Sequence, residues 1–336
     1  MIPPNAYAPL VHGGDLNAAR RLFPDAPEPF LDLSTGINPN PYPIPPLSPQ
    51  VFAQLPQEDT LAKLLACAAA AYGAPDESNV VPAGGMQILV TLIAGAAPPG
   101  LTRIVGPTYA EHARALVLAG HDVETVPDLA PLGEAALSLV VNPNNPDGRV
   151  FAREDLLAIA ARQRKSGGML IVDEAFMEIG PREESLAGDV EEANVIVLRS
   201  LGKAYGLAGL RLSVALAATT AAARLRAALG PWPLSGPALE VGAQALSDMT
   251  WLTATRAALA KDGKRLDELL ETAGLARVGG TPLFTLVRHD DAPQVFDRLG
   301  RAGIFVRRFA EEPTWLRFGL PGAEADWQRL EVALRG

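Results

Sequence analysis

Cysteine is almost absent from this sequence, and its scarcity excludes one class of protein. The 336 residues contain a single cysteine, Cys67, so no disulfide can form within the chain. A chain without disulfides is typical of a reducing compartment, and we therefore expect a cytoplasmic protein. Cys67 lies in the alanine-rich run LLACAAAAYG, where a small packed side chain is a better interpretation than a reactive nucleophile.

The sequence also lacks dense basic charge and long apolar runs. It has 29 lysine and arginine residues against 38 aspartate and glutamate residues, a net charge of −9. Nucleic-acid backbones are bound by clustered basic side chains, so we expect no nucleic-acid partner. No apolar run reaches the ~18 residues that a membrane-spanning helix needs, and the start MIPPNAYAPLVHGGD does not resemble a signal peptide. We therefore expect no membrane partner either.

Proline, by contrast, is concentrated at the start of the chain. Residues 1–56 hold 13 of the 30 prolines, as in NPNPYPIPPLSP. Proline fixes φ and removes a hydrogen-bond donor, so this segment is predicted to be mostly extended and irregular. A long irregular arm in an enzyme usually has a functional role or lies across another subunit.

From Thr60 onward, short apolar runs alternate with helical patterns. Continuous apolar strands separated by helices predict a mostly parallel sheet that helices cover on both faces. After residue 235 the pattern changes to a long helical stretch, Ala238 to Ala273, followed by a smaller α+β unit. We therefore expect an α/β protein with three parts: an N-terminal arm over 1–50, a large domain over 51–235 and a small domain over 236–336.

Four short segments lie where predicted strands meet loops, the place where open α/β sheets bind ligands. Each has an ordinary structural interpretation. PAGGMQ (82–87) could be a simple glycine turn, NPNNPDG (142–148) a proline-braced turn, IVDEAF (171–176) an aspartate that caps the next element, and the lysine of VLRSLGKAYGLAGLR (197–211) a surface side chain. The alternative interpretation is that all four form one anion-binding and carbonyl-binding site.

The last segment favours the functional interpretation. Small residues surround Lys203, and a partly desolvated lysine amine forms Schiff bases with carbonyls. Arg211 lies between Leu210 and Leu212 in a predicted apolar strand, where an unpaired guanidinium would be costly and a phosphate would satisfy it. We therefore expect Lys203 to be a covalent anchor, with Ser200 and Arg211 holding a phosphate beside it.

Taken together and in this order, the segments NPNNPDG, DEAF and SLGKAYGLAGLR resemble the fold-type I pyridoxal-phosphate enzymes of the aminotransferase class I/II superfamily. This resemblance implies a large domain with a seven-stranded, mostly parallel sheet that binds pyridoxal 5′-phosphate, a small α+β domain and a homodimer. It implies that Lys203 is catalytic and binds the cofactor aldehyde, while Asp173 pairs with the pyridine nitrogen. The other cofactor-binding residues that it implies are Asn145 at the 3′ oxygen, Tyr109 on the ring face, and Gly84, Gly85, Met86, Ser200 and Arg211 around the phosphate.

Within this superfamily the sequence is similar to two groups, the threonine-phosphate decarboxylases of cobalamin synthesis and the histidinol-phosphate aminotransferases. The segments VHGGD (11–15) and LDLSTGINP (31–39), and Phe176 where the transaminases usually have tyrosine, favour the decarboxylase. The expected reaction is decarboxylation of L-threonine O-3-phosphate to (R)-1-amino-2-propanol O-2-phosphate. The aminotransferase reaction with 2-oxoglutarate stays open, as does a cofactor-retaining protein without this catalysis.

Both candidate substrates carry a phosphate, so the resemblance implies a cationic substrate pocket and no metal. The expected substrate-binding residues are His12, Gly36, Asn38, Asn145, Arg307 and Arg317. Strand alternation allows only one residue of the pair Arg307 and Arg308 to face the pocket, and the sequence leaves that choice open. The chain departs from the family pattern at three places: it has no tyrosine near Leu55, glycine at position 202 in place of serine or threonine, and no acidic residue after the glycines of PAGGMQ.

Overall fold

Helices and strands alternate through most of the chain in the computed structural model, which describes residue 10 and residues 12–335. The helices are α1 (Leu16–Leu22), α2 (Gln50–Ala53), α3 (Glu58–Tyr72), α4 (Met86–Ala96), α5 (Ala110–Leu118), α6 (Arg153–Lys165), α7 (Val190–Ala193), α8 (Thr219–Leu229), α9 (Gly236–Ser247), α10 (Met249–Thr272), α11 (Ala292–Arg301) and α12 (Glu324–Arg335). The strands are β1 (Leu31–Leu33), β2 (Val80–Ala83), β3 (Leu101–Val105), β4 (Asp122–Val126), β5 (Leu137–Val141), β6 (Met169–Asp173), β7 (Val195–Ser200), β8 (Ser213–Leu216), β9 (Ala276–Thr281), β10 (Phe284–Arg288), β11 (Ile304–Arg308) and β12 (Trp315–Gly319). Among these described helices, none is both long enough and apolar enough to cross a bilayer.

Seven of the strands form the large sheet, in the order β2-β8-β7-β6-β5-β3-β4. Strand β8 runs antiparallel to both of its neighbours, and the other pairings are parallel. The central strands are buried along almost their whole length, as in β5, because helices cover both faces. The continuous apolar runs therefore predict this sheet correctly.

Five strands form the small sheet, in the order β1-β11-β12-β10-β9. The sequence pattern indicated one strand across residues 280–289, but the structure has a hairpin there, because Pro282 and Leu283 turn the chain between β9 and β10. The long helix expected from Ala238 to Ala273 is two helices. The break is at Asp248, whose side chain accepts a hydrogen bond from the Trp251 N–H and so begins α10.

The N-terminal arm is more regular than its proline content indicates. It contains α1, and β1 pairs in parallel with β11 at the edge of the small sheet. Arg329 of α12 holds the arm in place by donating hydrogen bonds to carbonyl oxygens on both sides of this pairing, those of Pro27, Pro29, Ala302 and Gly303. The predicted irregular structure of residues 1–9 and 11 lies outside the described residues.

Glycines allow the NPNNPDG loop and the small sheet to touch backbone to backbone. A Cβ on Gly148 would collide with the carbonyl of Gly280, and a Cβ on Gly279 would collide with the carbonyl of Asp147. Gly148 also has a φ of +71°, which favours glycine. The loop that follows β5 is therefore fixed against β9, and this contact holds the two sheets together beside the strand ends.

A buried cluster of charged side chains lies where β6 and β7 end. Arg199 of β7 is 2% exposed, and its guanidinium lies 2.8 Å from the Glu174 carboxylate and 3.4 Å from that of Glu178. Ser185 contributes hydrogen bonds to both Arg199 and Glu174. Burial raises the pKa of Glu178 to about 7, because one guanidinium compensates only part of the charge of two carboxylates.

This cluster predicts a pH-dependent contribution to stability. Glu178 keeps its proton up to about pH 7 in the folded protein, whereas its ordinary pKa is 4.5. The contribution is therefore full below about pH 4.5 and is lost as the pH rises through about 7. Glu178→Gln removes this titration, so the free energy of unfolding of the variant relative to the wild type should rise by about 3 kcal/mol between pH 5 and pH 8.

Urea unfolding at several pH values measures this difference. The matched control is Glu240→Gln, which changes an exposed glutamate on α9 and should give a difference independent of pH. A flat difference for Glu178→Gln would show that this carboxyl is ionised in the folded protein throughout the range.

Candidate functional site

The predicted functional segments meet at one edge of the large sheet. Strands β2, β5, β6 and β7 run in the same direction, and the residues that follow them lie together at their carboxyl ends. This edge is where open α/β sheets form their ligand crevice. It brings together Gly84, Gly85, Asn145, Asp173, Ser200 and Lys203.

Lys203 lies in the loop after β7, and the N-terminal arm holds that loop. The Asn38 N–H donates to the Lys203 carbonyl at 3.1 Å, and Asn38 Nδ2 donates to the Ala204 carbonyl at 2.8 Å. The Lys203 amine lies 5.4 Å from the centre of the Phe176 ring. Burial, with a further contribution from the nearby Arg317 cation, lowers the pKa of Lys203 to about 8. A substantial fraction of the amine is thus unprotonated near neutral pH, as a nucleophile towards a carbonyl requires.

Asp173 ends β6 and is 4% exposed. Its Oδ1 accepts a hydrogen bond from the Ala175 N–H at 2.9 Å, and its Oδ2 lies 2.7 Å from His112 Nε2. His112 is itself buried, and the Tyr109 ring packs edge-on against it at 5.2 Å. A carboxylate fixed in this way suits a protonated ring nitrogen.

The sequence reasoning missed His112. The signal was available, because His112 follows Tyr109 by three residues at the start of a predicted helix and so lies on the same face. Its buried Nδ1 has no hydrogen-bond partner among the described residues, which leaves Asp173 as the only side chain that fixes this ring.

Arg211 forms the phosphate side of the site, in a conformation that the sequence did not predict. It lies in the loop before β8 rather than in an apolar strand, it is exposed, and its φ of +55° is left-handed. A Cβ on Gly85 would lie 2.6 Å from Arg211 Nη2, and Gly85 has a φ of +120°. Glycine at position 85 therefore lets the guanidinium rest on the backbone at the start of α4, which favours anions.

The rest of the phosphate side consists of small or flexible residues. Ser200 Oγ accepts a hydrogen bond from the Gly202 N–H at 3.2 Å and can still donate its own hydrogen. Gly84 and Met86 flank Gly85 and are half-buried. Within the described part of the chain, no carboxylate lies within ion-pair distance of Arg211, so its charge is available to a phosphate.

Arg317 of β12 is a second cation without a counter-ion. It is only 7% exposed, yet it has no ion pair with any residue among 10 and 12–335. It donates to the Ser34 carbonyl at 2.9 Å and to Asn145 Oδ1, and its Nε has no partner in the same range. Burial, with a contribution from Arg307, lowers the pKa of Arg317 to about 10. A buried guanidinium in this state is a site for an anionic ligand.

The structure also resolves the orientation of Arg307 and Arg308. Arg307 stands opposite Arg317 in the antiparallel pairing of β11 and β12, so both side chains leave the sheet on the same face. Arg308 points to the other face, where its guanidinium lies 4.7 Å from the centre of the Phe296 ring. Arg307 is therefore the one that faces the site.

The remaining predicted residues lie in the arm. His12 Nε2 lies 2.7 Å from Glu111 Oε1, and the His12 ring lies 5.9 Å from that of Tyr109. A Cβ on Gly36 would lie 2.8 Å from Phe284, so only glycine fits there without a shift. Asn38 differs from expectation, because its amide is already bonded to the backbone of the lysine loop and of its own turn.

These residues fit pyridoxal 5′-phosphate, the cofactor that the sequence implies. A half-buried amine with a lowered pKa, a fixed carboxylate and an unpaired guanidinium on a glycine turn match the aldehyde, the ring nitrogen and the phosphate of that molecule. The second guanidinium, that of Arg317, is left for the anionic group of a substrate.

Comparison with known proteins agrees with this choice of cofactor. Residues 45–335 match the family model described as aminotransferase class I and II. The chain is 43% identical to a threonine-phosphate decarboxylase from Sinorhizobium sp. and 41% identical to one from Pseudomonas aeruginosa, over 97% of this chain and 98% of each relative. The crystal structure of a histidinol-phosphate aminotransferase from Sinorhizobium meliloti in complex with pyridoxal-5′-phosphate has the same fold, with a TM-score of 0.78, 22% identity, and coverage of 99% of this chain and 96% of that one.

Arg211→Ala tests the phosphate side of the site. Loss of charge-assisted hydrogen bonds to the phosphate should weaken pyridoxal-phosphate binding by about tenfold to a hundredfold. Equilibrium dialysis, with the visible absorption of the bound cofactor as the readout, measures this change. Arg224→Ala removes an exposed arginine from α8 and should leave binding unchanged. Equal retention by both variants would contradict the assignment.

Proposed function

The chain belongs to the aminotransferase class I and II family, and from this membership we propose that it is a pyridoxal-phosphate-dependent decarboxylase of L-threonine O-3-phosphate. Its product is 1-amino-2-propanol O-2-phosphate, and we place the reaction in cobalamin synthesis. The observation that carries the proposal is the buried, uncompensated Arg317 close to the Lys203 amine, in a chain that matches threonine-phosphate decarboxylases over nearly its full length.

In this proposal the residues at the carboxyl ends of the large-sheet strands hold the cofactor and tune it. Bound pyridoxal phosphate supplies an electron sink for the pair that is released when the bond to the carboxylate breaks. Lys203 binds the cofactor aldehyde, Asp173 faces the pyridine nitrogen, and Asn145 lies near the ring's 3′ oxygen. Arg211, together with Ser200 and the backbone of 84–86, holds the phosphate. His112 keeps the Asp173 carboxylate in place.

The substrate residues surround this core. We propose that Arg317 binds the substrate carboxylate before it leaves as carbon dioxide, and that Arg307 and His12 bind the phosphate at the other end of the substrate. When the bond between Cα and the carboxylate breaks, the electron pair stays with Cα and a proton takes the place of the carboxylate. The Lys203 amine can carry that proton to Cα, because its lowered pKa lets it gain and lose a proton near neutral pH. Gly36 leaves room beside Phe176, and Asn38 holds the lysine loop.

A histidinol-phosphate-type aminotransferase is the alternative function. It would use the same cofactor residues, and its substrate also carries a phosphate. Phe176 favours the decarboxylase, because its ring packs against Phe284 and Gly36 and offers no hydroxyl to the cofactor beside Lys203.

One assay separates these functions. Purified enzyme with L-threonine O-3-phosphate should release carbon dioxide and the amino alcohol phosphate equally well with and without 2-oxoglutarate. Strict dependence on 2-oxoglutarate with formation of glutamate would establish the aminotransferase instead.

Lys203→Ala should abolish activity, and Arg317→Gln should lower kcat/KM by about a hundredfold or more. A wild type with bound cofactor and no turnover in either form of the assay would indicate a protein without this catalysis.

We further propose that the protein is a homodimer that works in the cytoplasm, and that its domains are residues 1–50 with 236–336, and 51–235. Exposed apolar side chains support a dimer: Phe52 is 69% exposed, Ile44 59%, Leu55 58% and Trp232 54%. They belong to the arm, to α2 and the residues just after it, or to the segment before α9, and α2 packs on α9. The free Cys67 supports a reducing compartment.

Phe52→Asp tests the dimer. A charge in the middle of an apolar interface should raise the dimer dissociation constant by about a hundredfold, which sedimentation velocity measures as a shift towards monomer. Val332→Asp is the control, because Val332 is 70% exposed on α12, outside this patch. Equal behaviour of the two variants would remove Phe52 from the interface.

A further inference from the structure

We propose that Glu111 is a positioning residue that orients the His12 imidazole towards the substrate phosphate and so contributes to selection of phosphorylated substrates. The proposal rests on the function proposed above, in which His12 binds that phosphate. Glu111 does not itself contact the substrate in this proposal. It acts through the ring of His12, which lies 99 residues earlier in the sequence.

The contact between the two side chains is short and well placed. Glu111 is 8% exposed and lies in the first turn of α5, two residues after Tyr109. Its Oε1 is 2.7 Å from His12 Nε2, and the same oxygen and Oε2 each lie 3.3 Å from Arg114 Nη1. The carboxylate is thus buried between two basic side chains, and it is the only acid in contact with His12 among the described residues.

The backbone next to His12 is also held in place by contacts. The Gly14 N–H donates to Ser34 Oγ at 2.7 Å, and Gly13 packs so closely on the Ser34 carbonyl that a Cβ would collide with it. The same carbonyl accepts a hydrogen bond from Arg317. Ser34 therefore fixes the His12 segment beside Arg317, and Glu111 sets the direction of the ring.

The Glu111 carboxylate beside Nε2 determines whether the other ring nitrogen, Nδ1, is available to a ligand. Nε2 carries the hydrogen that points at Glu111, so Nδ1 is left for a ligand. When an anion approaches, the ring can hold a second proton at Nδ1 and donate it to a phosphate oxygen, while Glu111 balances the imidazolium charge.

The geometry assigns this group to the phosphate rather than to the carboxylate. The substrate carboxylate is attached to Cα, next to the nitrogen at which Lys203 works, and the uncompensated Arg317 is near Lys203. The phosphate is attached through oxygen to Cβ, on the other side of Cα from the carboxylate. His12 is accessible to that phosphate, because its side chain is 39% exposed and its ring lies 5.9 Å from the Tyr109 ring.

The test compares Glu111→Gln with the wild type as holoenzymes. Glutamine keeps an acceptor near Nε2 but removes the charge, so KM for L-threonine O-3-phosphate should rise about tenfold while kcat stays within about twofold. Glu154→Gln is the matched control, since Glu154 is an exposed glutamate in the first turn of α6. The Glu154→Gln variant loses a negative charge in the first turn of a helix, as Glu111→Gln does, and should keep the wild-type KM.

Two further measurements separate orientation of His12 from a structural role. The double variant His12→Asn with Glu111→Gln should bind no more weakly than His12→Asn alone, because Glu111 acts through His12. Titration of each cofactor-loaded protein with inorganic phosphate should show the same loss of about tenfold, independently of turnover. If Glu111→Gln folds poorly, Glu111→Asp replaces it, and its weaker contact should give a smaller rise in KM.

The outcomes distinguish this inference from the proposed function. Normal decarboxylation with unchanged KM and phosphate affinity in Glu111→Gln would overturn the role of Glu111 and leave the function intact. A loss of kcat together with a lowered midpoint of thermal unfolding would also overturn it, because the two changes together indicate a structural role. A wild type that does not decarboxylate the substrate would overturn the proposed function, and the phosphate titration would then still decide the role of Glu111.

Discussion

Positive charge without a matching acidic side chain is the constraint on which this site depends. Lys203, Arg211 and Arg317 converge at one sheet edge, and Asp173 is the acid placed among them. Burial alone would make such an arrangement unfavourable, so the fold must hold these cations in place by other means. It does so with backbone contacts: Arg317 on the Ser34 carbonyl, Arg211 on Gly85 and the lysine loop on Asn38. Bringing these cations together destabilises the protein without ligands, and the binding of anionic ligands offsets that destabilisation.

Much of this architecture follows from local sequence. Strands β5 and β6 read as continuous apolar runs because both faces of the sheet are covered, and the four loop segments follow such runs directly. The positions of Lys203, Asp173 and Asn145 at one sheet edge were therefore predictable, since the ends of parallel strands meet there. Helix α3 likewise ends at Gly73, whose φ of +75° is left-handed, the conformation that favours glycine.

Other features could not be predicted from the local sequence, because they depend on residues that are far away in the chain. The N-terminal arm is irregular where proline is frequent, but residues 31–33 form the strand β1 because they pair with β11. The left-handed backbone of Arg211 is not predictable from a glycine in the sequence. Its side chain is directed by the contact with Gly85 and by a hydrogen bond to the Ala208 carbonyl. His112 and Glu111 look like ordinary helix residues until Asp173 and His12 are placed beside them.

The arm has a further consequence for how the chain is made. Residues 31–33 pair with residues 304–306, and Asn38 bonds to the loop at 203–204, 166 residues later. A ribosome therefore releases the arm first and its partners last, so the small sheet can form only when translation is nearly complete. Until then β1 of the emerging polypeptide has no strand to pair with.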